Sequence, residues 1–131
     1  MKRVHHLLPL FALAAAPLAA QAAQEQAPDS VTIARGKAIF EGRGLCYSCH
    51  GQSGEGLLGP TTRLDAGKEK WLHHDGTLAG IVAVIKGGID GDKSKSGQVM
   101  PPLGGARLND QQVAQVAAYV WSLHKRPLAP S

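Results

Sequence analysis

Two cysteines and a histidine near the middle of the chain have a spacing that supports metal-cofactor chemistry, Cys46-Tyr47-Ser48-Cys49-His50. Side chains three residues apart lie on one face of a helical turn, so both sulfurs can bond to one planar group. The imidazole of the next residue can then ligate a metal at the centre of that group. The C-x-x-C-H pattern predicts one covalently attached c-type haem, with thioethers from Cys46 and Cys49 and iron ligation by His50.

Two other chemistries use cysteines at this spacing. A thioredoxin-like dithiol requires a strand before the motif and a helix after it, whereas a glycine-rich segment, residues 51–59, follows the motif here. A structural zinc site requires four ligands, usually including a second Cys or His pair, and the chain has only two cysteines. Haem attachment is therefore favoured over a dithiol redox module and a zinc module.

The second axial position of the iron has one methionine candidate, Met100 in Val99-Met100-Pro101-Pro102. A residue that precedes proline is disfavoured in helical backbone, so Met100 is predicted in extended chain. A thioether is a soft ligand, and His/Met ligation raises the reduction potential of the iron. The pattern favours ligation by Met100, and the alternative is a flexible side chain that fills the core.

Three histidines are the other candidates for that ligand. His73 and His74 lie in a polar stretch and are predicted to be solvated. His124 falls in the last turn of the final predicted helix, where a cation interacts well with the helix dipole. Ligation by one of them would give a bis-histidine carrier of lower potential.

Three helices are predicted to position these residues. Their predicted starts and ends are Asp29 to Gly42, Thr77 to Gly87-Gly88, and Asn109 to Pro127. The last has the clearest pattern, because Val113, Val116 and Val120 share one helical face and Asn109 with Gln112 resembles a capping box. The connections are long for a compact domain. We therefore expect an all-α fold of three to four helices wrapped around the haem, with long loops.

The first 22 residues have the order of a secretory signal peptide. Lys2-Arg3 supply positive charge, residues 7–18 form an apolar run, and Ala20-Gln21-Ala22 is a small-x-small site. The apolar run is shorter than the roughly 20 residues needed to span a bilayer. This pattern predicts export to the periplasm without stable membrane insertion.

The chain length fits a single domain. The predicted organisation is a signal peptide at 1–22, a flexible lead-in at 23–30, a folded domain at 31–126 and a tail at 127–131. The net charge is +4, part of it in the leader, and no run of arginines with interleaved aromatics supports nucleic-acid binding. Aromatic residues make up only 5% of the chain, so the core is short of large side chains and a haem would fill it.

With these motifs the chain resembles the small monohaem cytochrome c family, the class I exported cytochromes of bacteria. The resemblance runs from Val31 to Leu123. The pair Gly36 and Phe40 resembles the N-terminal helix signature of that family, and Val116 with Tyr119 resembles its C-terminal counterpart. The resemblance implies a cytochrome c fold in which the two helices cross so closely that a side chain at Gly36 would separate them.

The same resemblance implies roles for residues around the iron. Gly59-Pro60 resembles the Gly-Pro that follows the haem motif in the family, so the carbonyl of Pro60 is expected to accept a hydrogen bond from the His50 imidazole. Met100 falls in a segment that resembles the family's distal loop, which supports its role as the second ligand. Apart from the resemblance, Trp71 is a candidate either to donate its indole N–H to a haem carboxylate or to be buried against the middle helix, and Arg63 is a candidate to neutralise a haem carboxylate.

The implied function is electron transfer by a one-electron carrier that is not an enzyme and has no catalytic residues. Expected partners are periplasmic or membrane-bound redox proteins, namely a donor dehydrogenase or bc1-type complex and an acceptor oxidase or reductase. Two alternatives remain open. One is a cytochrome c subunit of a periplasmic dehydrogenase complex, and the other is a haem sensor or peroxidase-like protein with a labile Met100 ligand.

Overall fold

A computed structural model describes residues 26–65, 73–95 and 97–125 of the chain. In those ranges the secondary structure consists of α-helices and short 3-10 turns, with no strand. The four helices are α1 (Ser30–Glu41), α2 (Tyr47–His50), α3 (Leu78–Gly87) and α4 (Asp110–Lys125). The 3-10 turns are Pro60–Thr62 and Pro102–Gly105. The predicted all-α fold is confirmed.

Several predicted features lie outside the described residues. They are the signal peptide at 1–22, the tail at 127–131 and the side chain of Trp71. Of the helices that the structure describes, none is long and apolar enough to cross a membrane.

The helix starts follow from local hydrogen bonding. The side chains of Asp29 and Thr77 each accept a bond from the backbone N–H three residues further on, at 2.9 and 3.0 Å. Before α4, Asn109 accepts from the N–H of Gln112 at 2.9 Å, and the Gln112 side chain accepts from the N–H of Asn109 at 3.0 Å. These bonds satisfy N–H groups that the first turn of a helix leaves without a partner. The three predicted helix starts are confirmed.

α1 and α4 cross at very short range. A Cβ atom on Gly36 would overlap the backbone carbonyl of Gln115 in α4. Next to this point the rings of Phe40 and Tyr119 meet edge to face, with centroids 5.1 Å apart, and both are buried. Glycine is therefore required at position 36 for the two backbones to approach, as the family resemblance implies.

α3 packs against the other side of α4 through Ile81 and Ile85, which are both buried. An exposed ion pair between Lys86 and Asp110, 2.8 Å long, also joins the two helices. The buried apolar residues of the core are Phe40, Ile81, Ile85, Val113, Val116, Ala117, Tyr119, Val120 and Leu123. The core thus lies between α1, α3 and α4. Several of its side chains also line a pocket together with His50 and Met100.

Candidate functional site

The predicted attachment cysteines lie at the short helix α2. Cys46 is the N-cap of α2, and its carbonyl accepts a bond from the N–H of Cys49 at 3.3 Å. Leu45, immediately before, has a positive φ of 54°, a conformation that is uncommon for a residue other than glycine. Cys46 is half-buried and Cys49 is exposed, and both thiols are outside any disulfide. The chain thus turns sharply to present one sulfur inward and one near the surface.

The chemistry of Cys46 differs from that of a redox-active cysteine. Burial raises the pKa of its thiol to about 11, so the thiol stays protonated at neutral pH. Reactive cysteines of dithiol oxidoreductases instead have lowered pKa values in electropositive surroundings. This environment fits a sulfur that packs against an apolar group better than it fits a redox dithiol.

The imidazole of His50 is oriented by a backbone carbonyl. Its Nδ1 lies 2.7 Å from the carbonyl oxygen of Thr62. Since a carbonyl can only accept, Nδ1 carries the proton and Nε2 retains its lone pair. Burial also lowers the pKa of His50, which favours the neutral ring. Metal-binding histidines commonly have this arrangement, because the bond to Nδ1 fixes both tautomer and ring orientation.

The carbonyl that contacts His50 is not the predicted one. The prediction for Pro60 is wrong, because Pro60 begins the 3-10 turn and its carbonyl accepts the backbone N–H of Arg63 at 3.3 Å. The turn brings the carbonyl of Thr62 to the imidazole instead. A side-chain motif cannot reveal this shift, since any residue can supply a backbone carbonyl.

His50 and Met100 line one cleft that consists of two adjoining pockets. The inner pocket measures about 750 Å³, including space open to solvent, and borders the helical core. The outer pocket measures about 680 Å³ on the same basis and opens between exposed side chains, including those of Leu45, Leu58 and Val99. The residues that line both are Cys46, His50, Thr61, His73, Ile89, Met100 and Gly104. The structure therefore brings Cys46, His50 and Met100 together, and places Cys49 on the outer pocket.

Two backbone hydrogen bonds join Met100 to Ile89 and hold its main chain in place. Its N–H donates to the carbonyl of Ile89 at 2.9 Å, and its carbonyl accepts from the N–H of Ile89 at 2.8 Å. Pro101 follows in extended conformation, with φ −66° and ψ 153°. The extended backbone predicted for Met100 is confirmed. The bridge also ties Met100 to the segment that directly follows α3.

Two of the three histidines differ from their predicted placement, and His124 lies in the last turn of α4 as predicted. His73 and His74 are half-buried and line the inner pocket, so the prediction that they are solvated is wrong. His124 is also in the wall of this pocket and is only 3% exposed. The rings of His74 and His124 lie 5.3 Å apart, centroid to centroid. The periodic pattern of apolar residues predicts α3 and α4 but says nothing about the segment just before α3. In the structure His74 of that segment packs onto His124 at the end of α4.

The donor set in the cleft fits a covalently bound haem. It includes two thiols, an imidazole with an available lone pair and a thioether, along walls formed by core residues such as Phe40, Ile81 and Val120. In the described ranges no three His, Cys, Asp or Glu side chains come together as a metal-ion site, the kind of cluster that the zinc alternative requires.

Comparisons with known proteins identify the family of the chain. The family model described as cytochrome c matches residues 33–124. The chain is 38% identical over 100 residues to the cbb3-type cytochrome c oxidase subunit FixPc of Rhizobium leguminosarum bv. viciae, covering 75% of this chain and 32% of that subunit. It is 38% identical over 99 residues to the cbb3-type oxidase subunit CcoP of Azospirillum brasilense, covering 72% and 32% of the two chains.

A shorter relative is matched over most of its own length. The chain is 33% identical over 89 residues to cytochrome c6 of Chlorolobion braunii, covering 68% of this chain and 88% of that protein. The match therefore spans about a third of the oxidase subunits, 32%, but most of the cytochrome c6, 88%. No solved structure matches the chain at a comparable level of significance. The chain belongs to the cytochrome c family, which implies a covalently bound haem c.

Proposed function

We propose that this chain is a one-electron carrier whose haem is attached through Cys46 and Cys49, with His50 and Met100 as the axial ligands of the iron. The observation that carries the proposal is the shared cleft, in which an imidazole held by a backbone carbonyl and a methionine with a bridged main chain line the same pockets beside a cysteine. Haem c supplies an iron that accepts and releases one electron.

The two ligands are held by different means. The bond from His50 to the Thr62 carbonyl fixes the ring and keeps Nε2 unprotonated. Met100 is fixed through its main chain by the bridge to Ile89. The backbone bonds thus restrain the His50 ring and the main chain of Met100. A bound haem would supply a one-electron centre there, and restrained ligands would keep the reorganisation energy of electron transfer small.

The walls of the cleft would influence the reduction potential of a bound haem iron. Apolar core residues face the inner pocket from α1, α3 and α4, including Phe40, Ile85 and Val116. Low polarity disfavours the extra positive charge of ferric iron, and a methionine ligand acts in the same direction. We therefore expect a higher potential than a bis-histidine cytochrome would have.

The comparisons support a place among membrane-associated redox complexes. Two of the relatives are subunits of cbb3-type oxidases. We propose that the chain, after removal of residues 1–22, works in the periplasm between membrane-bound or periplasmic redox proteins. The donor would be a dehydrogenase or bc1-type complex and the acceptor an oxidase or reductase. The route would pass through the outer pocket, where Cys49 and its neighbours are exposed.

The test is replacement of Met100 by alanine in the mature holoprotein, with Val99→Ala as the control at an exposed neighbouring position. Both variants should retain covalent haem. Met100→Ala should lose the long-wavelength ferric absorption of a methionine–iron bond and bind carbon monoxide rapidly in the ferrous state. Its reduction potential should fall by at least about 59 mV, which is tenfold in the reduction equilibrium. Val99→Ala should match the wild type.

An unchanged spectrum and potential in Met100→Ala would assign the distal ligand to another residue. Rapid carbon monoxide binding by the wild type itself would favour the sensor or peroxidase-like alternative. Secreted protein with two unmodified thiols would contradict haem attachment altogether.

A further inference from the structure

The chain segment that carries Met100 lies directly against the end of α3. This methionine segment, residues 100–102, contacts Gly88, the C-cap of the helix. A Cβ atom on Gly88 would overlap the carbonyl oxygen of Met100 and would lie 2.8 Å from the nitrogen of Pro102. Carbon atoms that are not bonded to each other pack at about 3.5–4.0 Å. The methionine segment can therefore lie this close to α3 only because position 88 has no side chain.

We infer that Gly88 is a positioning residue for Met100, because it lets the methionine segment lie where the Met100 side chain lines the cleft together with His50. The inference rests on the proposed function, in which these two residues are the axial ligands of the iron. An electron carrier has both axial positions filled, whereas a haem that binds small molecules needs one of them open. Position 88, which lies outside the haem motif, thus helps to decide between these two functions.

α3 is the more firmly anchored side of the contact. Ile81 and Ile85 are buried between α3 and α4. The hydrogen bonding of the helix extends to its C-cap, where the N–H of Gly88 donates to the carbonyl of Val84 at 2.8 Å. A side chain at position 88 would therefore displace the methionine segment more than it displaces the helix.

The methionine segment has little internal freedom to absorb a displacement. The rings of Pro101 and Pro102 restrict φ to about −65°, and φ of Pro101 is −66°. The main chain of Met100 is also bonded to Ile89, the residue directly after Gly88, at 2.8 and 2.9 Å. A shift of the Met100 carbonyl would therefore move the main chain of Met100 and strain this bridge.

The side chain of Met100 would compensate for only part of the shift. Methionine has three rotatable bonds and adapts to small changes in its surroundings. We therefore expect a weaker methionine–iron bond rather than its complete loss. Methionine ligation raises the reduction potential, so a weaker bond should lower the potential, in the same direction as Met100→Ala.

Gly97, in the connection between Gly88 and Met100, provides a matched control. Its φ is 70° and that of Gly88 is 69°, so alanine incurs a similar cost of left-handed backbone at either position. A Cβ atom on Gly97, however, meets no atom within 4 Å. The two substitutions thus share the backbone strain and differ in the contact with the methionine segment.

The experiment compares Gly88→Ala and Gly97→Ala with the wild-type mature holoprotein. Gly88→Ala should retain covalent haem but show weaker ferric absorption from the methionine–iron bond and a lower reduction potential. In the ferrous state it should bind carbon monoxide at least about tenfold faster than the wild type, which is within the range that strain from overpacking produces. Gly97→Ala should match the wild type in absorption, potential and binding rate, even where both variants lose stability to denaturant.

A second measurement uses the wild-type holoprotein and does not depend on the folding of a variant. Proton NMR of the reduced protein should show cross-peaks between the α-protons of Gly88 and the ring δ-protons of Pro102. The amides of Ile89 and Met100 should exchange slowly with solvent, since both belong to the bridge. Absence of the cross-peaks, or rapid exchange of both amides, would overturn the proposal.

Two results with the variants would also overturn it. One is a folded Gly88→Ala protein with unchanged absorption, potential and carbon monoxide binding, and the other is an equal loss of methionine ligation in Gly97→Ala. Either result leaves the electron-carrier proposal intact. A wild-type holoprotein without the methionine–iron absorption would instead contradict the axial ligands of the proposed function itself.

Discussion

The α1–α4 crossing and the cleft beside it are built in different ways. At the crossing, Gly36 brings two backbones into contact and Phe40 packs edge to face on Tyr119, so the chain fills its own space. In the cleft, His50 and Met100 line a space of about 750 Å³ that is partly open to solvent and has largely apolar walls. The first region is packed by protein side chains alone, and the second has the shape and lining to hold a bound group.

This difference explains the unusual composition of the chain. Close-packed interiors leave few voids larger than a water molecule, and a chain with only 5% aromatic residues has few side chains large enough to fill such a space. A bound haem would supply the missing apolar volume. The crossing would then act as a support, and the haem would hold the loops that bear the proposed ligands.

The largest effect is expected from removing the two cysteines that would attach the haem. In a Cys46→Ala plus Cys49→Ala variant, covalent haem should be lost entirely, and little folded protein should accumulate in the secreted fraction. The physical reason is that the cleft would lose its central packing group. Haem absorbance of the denatured protein and circular dichroism measure the two effects. A double variant as stable as the wild type would show that the core does not depend on the haem.

A substitution at the crossing tests the other region. In Gly36→Val, the new side chain meets the carbonyl of Gln115, and a backbone contact cannot be relieved by changing a rotamer. We expect the holoprotein to lose about 3 kcal/mol, the upper end of the cost of overpacking, in the free energy of unfolding by denaturant. Gly87→Ala is the matched control, since a Cβ there meets no atom within 4 Å. Equal stability of the two variants would contradict the close crossing.

The smallest expected effect is at the link between the two regions. The Tyr119 hydroxyl donates to the carbonyl of Gln52 at 3.3 Å, in the segment that follows the haem motif. Tyr119→Phe keeps the ring on Phe40 but removes this bond, so stability should fall by about 0.5–1 kcal/mol. Amide hydrogen exchange should become faster in residues 51–59 and remain unchanged in α1. Faster exchange in α1 instead would show that the hydroxyl supports the crossing.

The helices could be predicted well because their signals are local. Asp29, Thr77 and Asn109 cap helices in the structure as their residue types predict, since each bonds a backbone group within three residues. The requirement for glycine at position 36 also came from a pattern, through the family resemblance. The extended backbone of Met100 followed from the proline after it.

The sequence by itself determined which side chains are the candidates for the chemistry, because thiols, imidazole and thioether are recognisable by residue type and spacing. The tertiary structure decided which backbone carbonyl orients His50. The 3-10 turn places the carbonyl of Thr62, and not that of Pro60, next to the imidazole. It also brought His74 against His124, 50 positions along the chain. Contacts of these two kinds depend on how distant segments pack and on carbonyls that every residue has, so no local pattern encodes them.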